Sequence, residues 1–455
     1  MKFIKKLAAC LFILLLASET TFATFTDIEY SWYKDSIKSL YSAGLVKGYN
    51  ETTYGPDMPI TRAEMLKIIL GSAGTSIDTS KRERCFPDVN PTLWYSPYIC
   101  TANQLGIAKG FDSGNFGPND TVTNLEALAF GFRAFGIQIP DTGTNWYDSY
   151  QKVADTNNIL ATHGYLLGTK ISRGKAAELI ERIKEFKATK QVLDYKSAGC
   201  EVGGKLATKN TIVIDGVTRK YNLYVPSNYT KDKQYGLVVA LHGRTNSNDM
   251  VQGYMGLQGG YNGGVGTRSK DGSARQSQND YIVAYPAGLP VSGGYSWGGG
   301  SVKLFDAMIQ QISSSYCVNR DQVFVVGHSL GASFANQLAC VRGDVIHGVS
   351  AVAGPGFSGT CTGPAASLLF HRTDDKLVPY QSGKTAEKIH ITENSCSNKT
   401  VNITIGTFAC KQRTDCSTGN PVVWCEGYST YQNDPHGWPV GGGGAILGFF
   451  SGKFK

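Results

Sequence analysis

The chain has 455 residues, 41% of them hydrophobic and 18% charged, with a formal net charge of +8. That length allows two or three domains, each with its own core, and the composition excludes a disordered or fibrous chain. Lys and Arg are dispersed apart from Lys81–Arg84 and Lys184–Lys190. No nucleic-acid-binding motif accompanies them, so the balance reads as a solvated surface attractive to anionic polymer, with no nucleic-acid partner.

Residues 1–23 read as a signal peptide. Lys2, Lys5 and Lys6 form the basic start, Leu7–Ala17 the apolar stretch, and Thr21-Phe22-Ala23 the small-residue exit. Leu7-Ala8-Ala9-Cys10 precedes most of that apolar run, so lipidation is not expected. No later stretch is long and apolar enough to span a bilayer. Ten cysteines follow Cys10, an even number that favours disulfides in an exported chain, with Cys85–Cys100 and Cys410–Cys416 as short-range candidates. The seven His are scattered and no Cys-x-x-Cys occurs, so neither a metal site nor any cofactor is expected.

The first half repeats itself. Trp32-Tyr33 returns 62 positions on as Trp94-Tyr95, and Gly44 and Gly48 return as Gly106 and Gly110 at the same offset. Ile60-Thr61 with Glu64 likewise becomes Val122-Thr123 with Glu126. A third, shorter copy starts at Trp146-Tyr147-Asp148 and reaches Ile171-Ser172-Arg173. The three copies span about 25–75, 86–137 and 146–187. In each, Ile37, Leu40 and Leu45 or their equivalents mark an apolar helix face. A loop follows, and Thr61 then caps a second helix through Met65–Leu70, with Glu64 completing a capping box. One helix pair cannot bury its own face, so the copies are expected to pack on one another. Trp32 and Trp94 read as core.

These residues, above all Ile60-Thr61-Arg62-Ala63-Glu64, resemble the S-layer homology repeat. The resemblance covers residues 24–190 and implies a mainly α-helical three-repeat module that binds cell-wall polysaccharide and holds an exported protein on the envelope. Its arginine carries over to Arg62 and Arg173, while Asn124 stands at that place in the second copy. The competing reading of Arg62 is a salt bridge to a neighbouring helix.

After a polar join at 187–199, Tyr221–Val225, Gly236–Leu241, Tyr281–Tyr285, Val323–Val326, Val349–Val352 and Leu368–Phe370 read as strands. Helical patterns such as Val302–Ile312 lie between them. Such alternation implies a mostly parallel sheet covered by helices. Gly327-His328-Ser329-Leu330-Gly331 joins a buried strand to the helix Ala332–Val341, the setting a nucleophilic Ser329 requires. Its base and acid are expected downstream, the acid first. His436, in a loop before the last helix Ala445–Phe450, is the favoured base. His371 is disfavoured because it precedes the acid, and His347 and His390 read as ordinary positions. Asp374 and Asp375 both fit the acid, and periodicity does not choose between them. Leu241-His242-Gly243-Arg244 is the place for an oxyanion hole, with main-chain donors from Arg244 or Thr245 and from Leu330; His242 reads as a structural residue holding that loop.

These motifs, with Ser197–Cys200, His371–Pro379 and His436–Pro439, resemble the α/β-hydrolase esterases that join polyhydroxybutyrate depolymerases to feruloyl and acetylxylan esterases, the family-one carbohydrate esterases. The resemblance covers residues 200–455 and implies the triad Ser329, Asp375 and His436, and so chooses Asp375. It departs at Arg372 and Arg244, near the mouth of the site. Tyr295, Trp297 and Trp438 are candidates to flank an acyl group or stack on sugar. The expected protein is thus a secreted, wall-associated serine esterase acting on an ester-bearing polysaccharide, with feruloyl or acetylxylan esters first and a polyester such as polyhydroxybutyrate second. The rival reading from another class is a surface adhesin with an inactive hydrolase fold.

Overall fold

In both clear repeats the capping box closes as the sequence implies. The Thr61 hydroxyl accepts the Glu64 N–H and the Glu64 carboxylate accepts the Thr61 N–H, and Thr123 and Glu126 do the same. The computed structural model describes residues 25–139, 145, 147–157, 159–160, 168–189, 197–258, 279–357, 359–417 and 419–452. The expected signal peptide, Trp146 and the middle of the polar join lie outside the described residues. Among the described residues six α-helices build the first half: α1 (Lys34–Ser42), α2 (Arg62–Ser72), α3 (Ser96–Gln104), α4 (Asn124–Ala134), α5 (Asp148–Thr156) and α6 (Arg173–Thr189).

Their common centre is a closed ring of backbone hydrogen bonds. Ile60 N–H donates to Ile171 C=O at 3.3 Å, Ile171 N–H to Val122 C=O at 3.1 Å, and Val122 N–H to Ile60 C=O at 3.1 Å. All three side chains are fully buried, so the residue before each second helix supplies both a ladder bond and apolar area. Around this ring the arginines act as clamps. Arg62 pairs with Glu126, donates through Nε to Phe116 C=O at 2.8 Å and lies 4.3 Å from the Phe111 ring centroid. Arg173 donates to Tyr54 C=O at 3.0 Å and Lys47 C=O at 2.9 Å, with Tyr49 4.8 Å away. Asn124 joins Thr169 through main chain and side chain, both at 2.8 Å. Trp32 is core as expected, but Trp94 is 47% exposed, lying edge-on to Tyr98 beneath the Lys67 ammonium. Its indole covers the outside of the α2–α3 pair and enters no core.

Among the described residues the second half is one ten-stranded sheet with helices α7 (Gly199–Val202), α8 (Asn248–Tyr254), α9 (Ser301–Ser315), α10 (Leu330–Val341), α11 (Tyr380–Glu393) and α12 (Gly442–Phe450). The strands are β1 (Lys209–Ile214), β2 (Val217–Tyr224), β3 (Tyr235–Leu241), β4 (Tyr281–Pro286), β7 (Val318–His328), β8 (Gly348–Val352), β9 (Ala366–Phe370), β10 (Thr400–Ile405), β11 (Phe408–Arg413) and β12 (Val422–Cys425). β5 (Leu289–Val291) and β6 (Gly294–Ser296) form a separate hairpin. The sheet order is β1-β2-β4-β3-β7-β8-β9-β12-β11-β10; β4 through β12 run parallel, and the outer pairs are antiparallel. This is the α/β-hydrolase arrangement. Every residue of β3, β4 and β8 is buried, as continuous apolar runs require.

Among the described residues five disulfides form: Cys85–Cys100, Cys200–Cys317, Cys340–Cys361, Cys396–Cys416 and Cys410–Cys425. Of the two short-range candidates Cys85–Cys100 forms and Cys410–Cys416 does not. Strand register decides it, because Cys410 of β11 faces Cys425 of β12, while Cys416 lies past the strand end against Cys396.

The halves are docked through buried charge. The Arg182 side chain, fully buried, pairs with Asp321 at 2.8 Å and Glu178 at 3.5 Å. Arg320 reaches Trp32 C=O with its guanidinium 4.4 Å from the Trp32 ring centroid, and Tyr33 Oη donates to the Asp344 carboxylate. Lys175 is buried beside Asp344 and Glu178, and desolvation lowers its pKa.

Candidate active site

Ser329 follows the last residue of β7 and caps α10 with φ 57° and ψ −122°, a conformation unfavourable for a residue with a Cβ. The flanking glycines make it possible. A Cβ on Gly327 would lie 2.2 Å from Gly331 O, and one on Gly331 would lie 2.2 Å from Leu241 O. Ser329 N–H is held by Val352 C=O at 2.9 Å, which fixes the turn to β8. Leu330 is the first residue of α10, so its N–H has no acceptor inside the helix.

The loop after β3 closes against this turn, with the Cβ position of Gly243 3.2 Å from Ser329 Cβ. Arg244 and Thr245 follow on the same loop, and Arg244 C=O accepts the Tyr295 N–H at 2.8 Å from the β5–β6 hairpin. His242 holds the loop from inside. Its Nδ1–H donates to Gly243 C=O and its Nε2 accepts the Gly288 N–H, both at 2.8 Å. Burial lowers its pKa, which suits this neutral tautomer.

Asp375 and Asp374 have opposite surroundings. The Asp375 side chain is fully buried; Oδ1 accepts the N–H groups of Leu377 at 2.9 Å and Val378 at 3.0 Å, and Oδ2 accepts His436 Nδ1–H at 2.8 Å. Asp374 is half exposed and chelated by Arg372 at 2.8 and 2.7 Å, and that pairing lowers its pKa. Arg372 also donates to Tyr428 C=O at 2.6 Å, so this departure from the resembled motif props the loop. His436 has its N–H on Asp434 Oδ1 at 2.9 Å, and its buried Nε2 has no hydrogen-bond partner among the described residues. Its ring stacks on His328, the neighbour of Ser329, at 5.5 Å between centroids. His371 Nε2 donates to Val378 C=O at 2.9 Å, and its ring lies against Trp424. His390 is buried against Asn336 Oδ1.

Among the aromatic candidates, Trp297 and Trp438 are buried at 7% and 9% exposure and so offer a sugar no face. Trp297 Nε1–H donates to His242 C=O at 2.9 Å and its ring stacks on Phe334, while Trp438 packs on Tyr254 and His328. Both support the loops that carry the site. Tyr295 alone of the three is left partly exposed. Sequence reasoning passed over His328 and Tyr254, for which the available signal was a His inside the glycine-flanked turn.

The sheet order and the strained Ser329 turn define an α/β-hydrolase. The S-layer homology domain model matches residues 24–66 and 86–128. The chain is 28% identical over 236 residues to feruloyl esterase D of Neurospora crassa, covering 50% of this chain and 79% of that protein. It is 30% identical over 258 residues to a probable feruloyl esterase C of Aspergillus terreus, covering 55% of this chain and 87% of that protein. Over 191 residues it is 30% identical to a cell surface protein of Thermoanaerobacter kivui, covering 41% of this chain and 24% of that protein. The chain belongs to the feruloyl esterase C family.

Proposed function

We propose that this protein is a serine carboxylesterase held on the cell envelope by its first half and acting on polymer-linked esters, feruloyl or acetyl esters of plant-wall xylan in particular. The observation that carries the chemistry is the Asp375–His436 pair. Its bare Nε2 lies on a ring stacked against the residue preceding Ser329. Ser329 Oγ attacks the acyl carbon while His436 Nε2 takes its proton. Asp375 holds Nδ1–H and stabilises the imidazolium. The N–H groups of Leu330 and of Arg244 or Thr245 receive the oxyanion, each donor lowering the barrier by about 3 kcal/mol. His436 then protonates the leaving alcohol, and water, activated by the same His436, releases the acid and restores Ser329. Side-chain hydroxyl, imidazole and carboxylate complete this cycle, and no cofactor enters it.

The family relationship supports the ester class, and Tyr295 beside the Arg244 loop supplies an aromatic edge to the mouth. For the first half, two matched S-layer homology segments and a groove of about 610 Å³ lined by Arg62, Lys109, Phe111, Glu126, Arg133 and Tyr150 support binding of an anionic wall glycan. A third copy at 146–187 is supported by Ile171 completing the backbone ring and by Arg173 clamping the first copy as Arg62 clamps the second. Export is the corresponding proposal for residues 1–23. Among the described residues no helix is long and apolar enough to cross a membrane.

The test is a panel of methyl ferulate, acetylated xylan and polyhydroxybutyrate, assayed on envelope-bound and free enzyme. Turnover of ferulate or acetyl esters with retention on purified wall supports the proposal. Turnover of polyhydroxybutyrate alone replaces the substrate, and an inert protein that still binds wall leaves an adhesin.

A further inference from the structure

His328 is the last residue of β7 and the immediate neighbour of Ser329, yet both of its ring nitrogens are already committed. Nε2 lies 2.8 Å from His436 C=O, and a carbonyl only accepts, so Nε2 carries the proton. Nδ1 is then a bare acceptor, and Tyr254 Oη–H donates to it at 2.8 Å. Tyr254 ends α8 and packs edge-on against Trp438, two residues beyond His436, with centroids 6.0 Å apart; His328 meets the same indole at 5.9 Å. The His436 segment is thereby pinned at its C=O by His328, at its N–H by Asp434, and at Nδ1 by Asp375.

We propose that His328, oriented by Tyr254, is a positioning residue that fixes the height and tilt of the His436 imidazole beside Ser329 through its hydrogen bond to the His436 carbonyl. This rests on the reading of His436 as the base. With both nitrogens occupied, His328 takes no proton itself. Its neutrality matters, because the stacked His436 ring becomes cationic in the transition state and a second cation 5.5 Å away would oppose that charge. Burial holds the His328 pKa down at about 4, so the arrangement persists across the neutral range; the groups facing it are Tyr254, His436, Asp434 and Asp375. A misplacement of about 1 Å in a catalytic group costs on the order of 100-fold in rate, which sets the scale of the expected loss.

The experiment uses the full chain with a chromogenic short-chain ester, comparing His328→Leu, His328→Gln and Tyr254→Phe, each assayed below its own melting temperature. H328L is expected to lower kcat about 10- to 100-fold with KM within about 2-fold, because substrate contacts are untouched. H328Q, which keeps an N–H donor, is expected to recover most of that loss, and Y254F to lose about 3-fold. Labelling of Ser329 by a fluorophosphonate should slow in parallel with kcat. A folded H328L with parental kcat overturns the proposal, as does equal loss in H328L and H328Q, since packing would then be the cause. Should H328L not fold, an unchanged kcat in Y254F overturns it. Failure of the underlying reading is separate and shows as turnover surviving in His436→Ala.

Discussion

Asp375→Asn is the substitution whose effect the geometry specifies most fully. Oδ1 of Asp375 accepts two loop N–H groups, from Leu377 and Val378, so an asparagine must turn its carbonyl oxygen to that side. Its amide NH2 then occupies the place of Oδ2, 2.8 Å from His436 Nδ1. A donor there pairs only with an unprotonated Nδ1, which moves the imidazole proton to Nε2. In the proposed cycle that is the atom that has to be bare to accept the Ser329 proton. The fold and the site shape survive, while the base is in the wrong tautomer. Loss of base function of this kind costs about 10⁴-fold in kcat, or about 5 kcal/mol of barrier. Steady-state hydrolysis of a short-chain ester at neutral pH measures it, with Asp374→Asn as the internal comparison. Asp374 is half exposed and bound to Arg372, so D374N should stay within about 2-fold of the parent. The reasoning is refuted if D375N keeps kcat within tenfold, or if D374N carries the loss.

Two further predictions concern stability. His390, buried on Asn336 Oδ1, is held at about 4 against 6.5 when unfolded, so the unfolded chain binds more protons between those values. Its contribution is therefore complete above pH 6.5 and is lost as pH falls toward 4, by about 3 kcal/mol over the window. Denaturation midpoints of parent and His390→Gln at pH 7 and 4.5 should converge at the lower pH; parallel curves would contradict this. At the junction of the halves, Arg182→Ala removes the nearest cation from Asp321 and Glu178, leaving Arg320 at 3.9 Å from Glu178 as the remaining ion pair, and should destabilise by about 3 kcal/mol. A double-mutant cycle with Asp321→Ala should return a coupling of about 1–3 kcal/mol, and zero coupling would remove the pair from the interface.

What was readable in the sequence divides along the range of the forces involved. The Ser329 turn was legible because its constraint is local: Gly327 and Gly331 are required by atoms a few residues away and by the strand beside them. The parallel core strands were legible for a similar reason, since burial on both faces forces continuous apolar runs such as Gly236–Leu241. The edge strands β1, β10 and β11 and the four-residue β12 escaped notice; β10 is mostly exposed and carries no such run. Disulfide pairing depends on register between strands, which spacing does not encode, and so the connectivity after Cys200 stays open in the sequence and the short-range candidate Cys410–Cys416 does not form. Which of Asp374 and Asp375 turns toward His436 depends on which way two loop N–H groups point. Arg182 lies just before a basic stretch that reads as solvated, yet it is fully buried because Asp321, 139 residues away, folds onto it.

The most direct test of the account is to treat the full chain with a fluorophosphonate, digest it and locate the adduct by mass spectrometry. The account predicts one phosphonate on the peptide containing Ser329, slowed by competing ester and absent in Ser329→Ala, whose turnover falls to background. An adduct elsewhere, or Ser329→Ala hydrolysing esters at the parental rate, would contradict it.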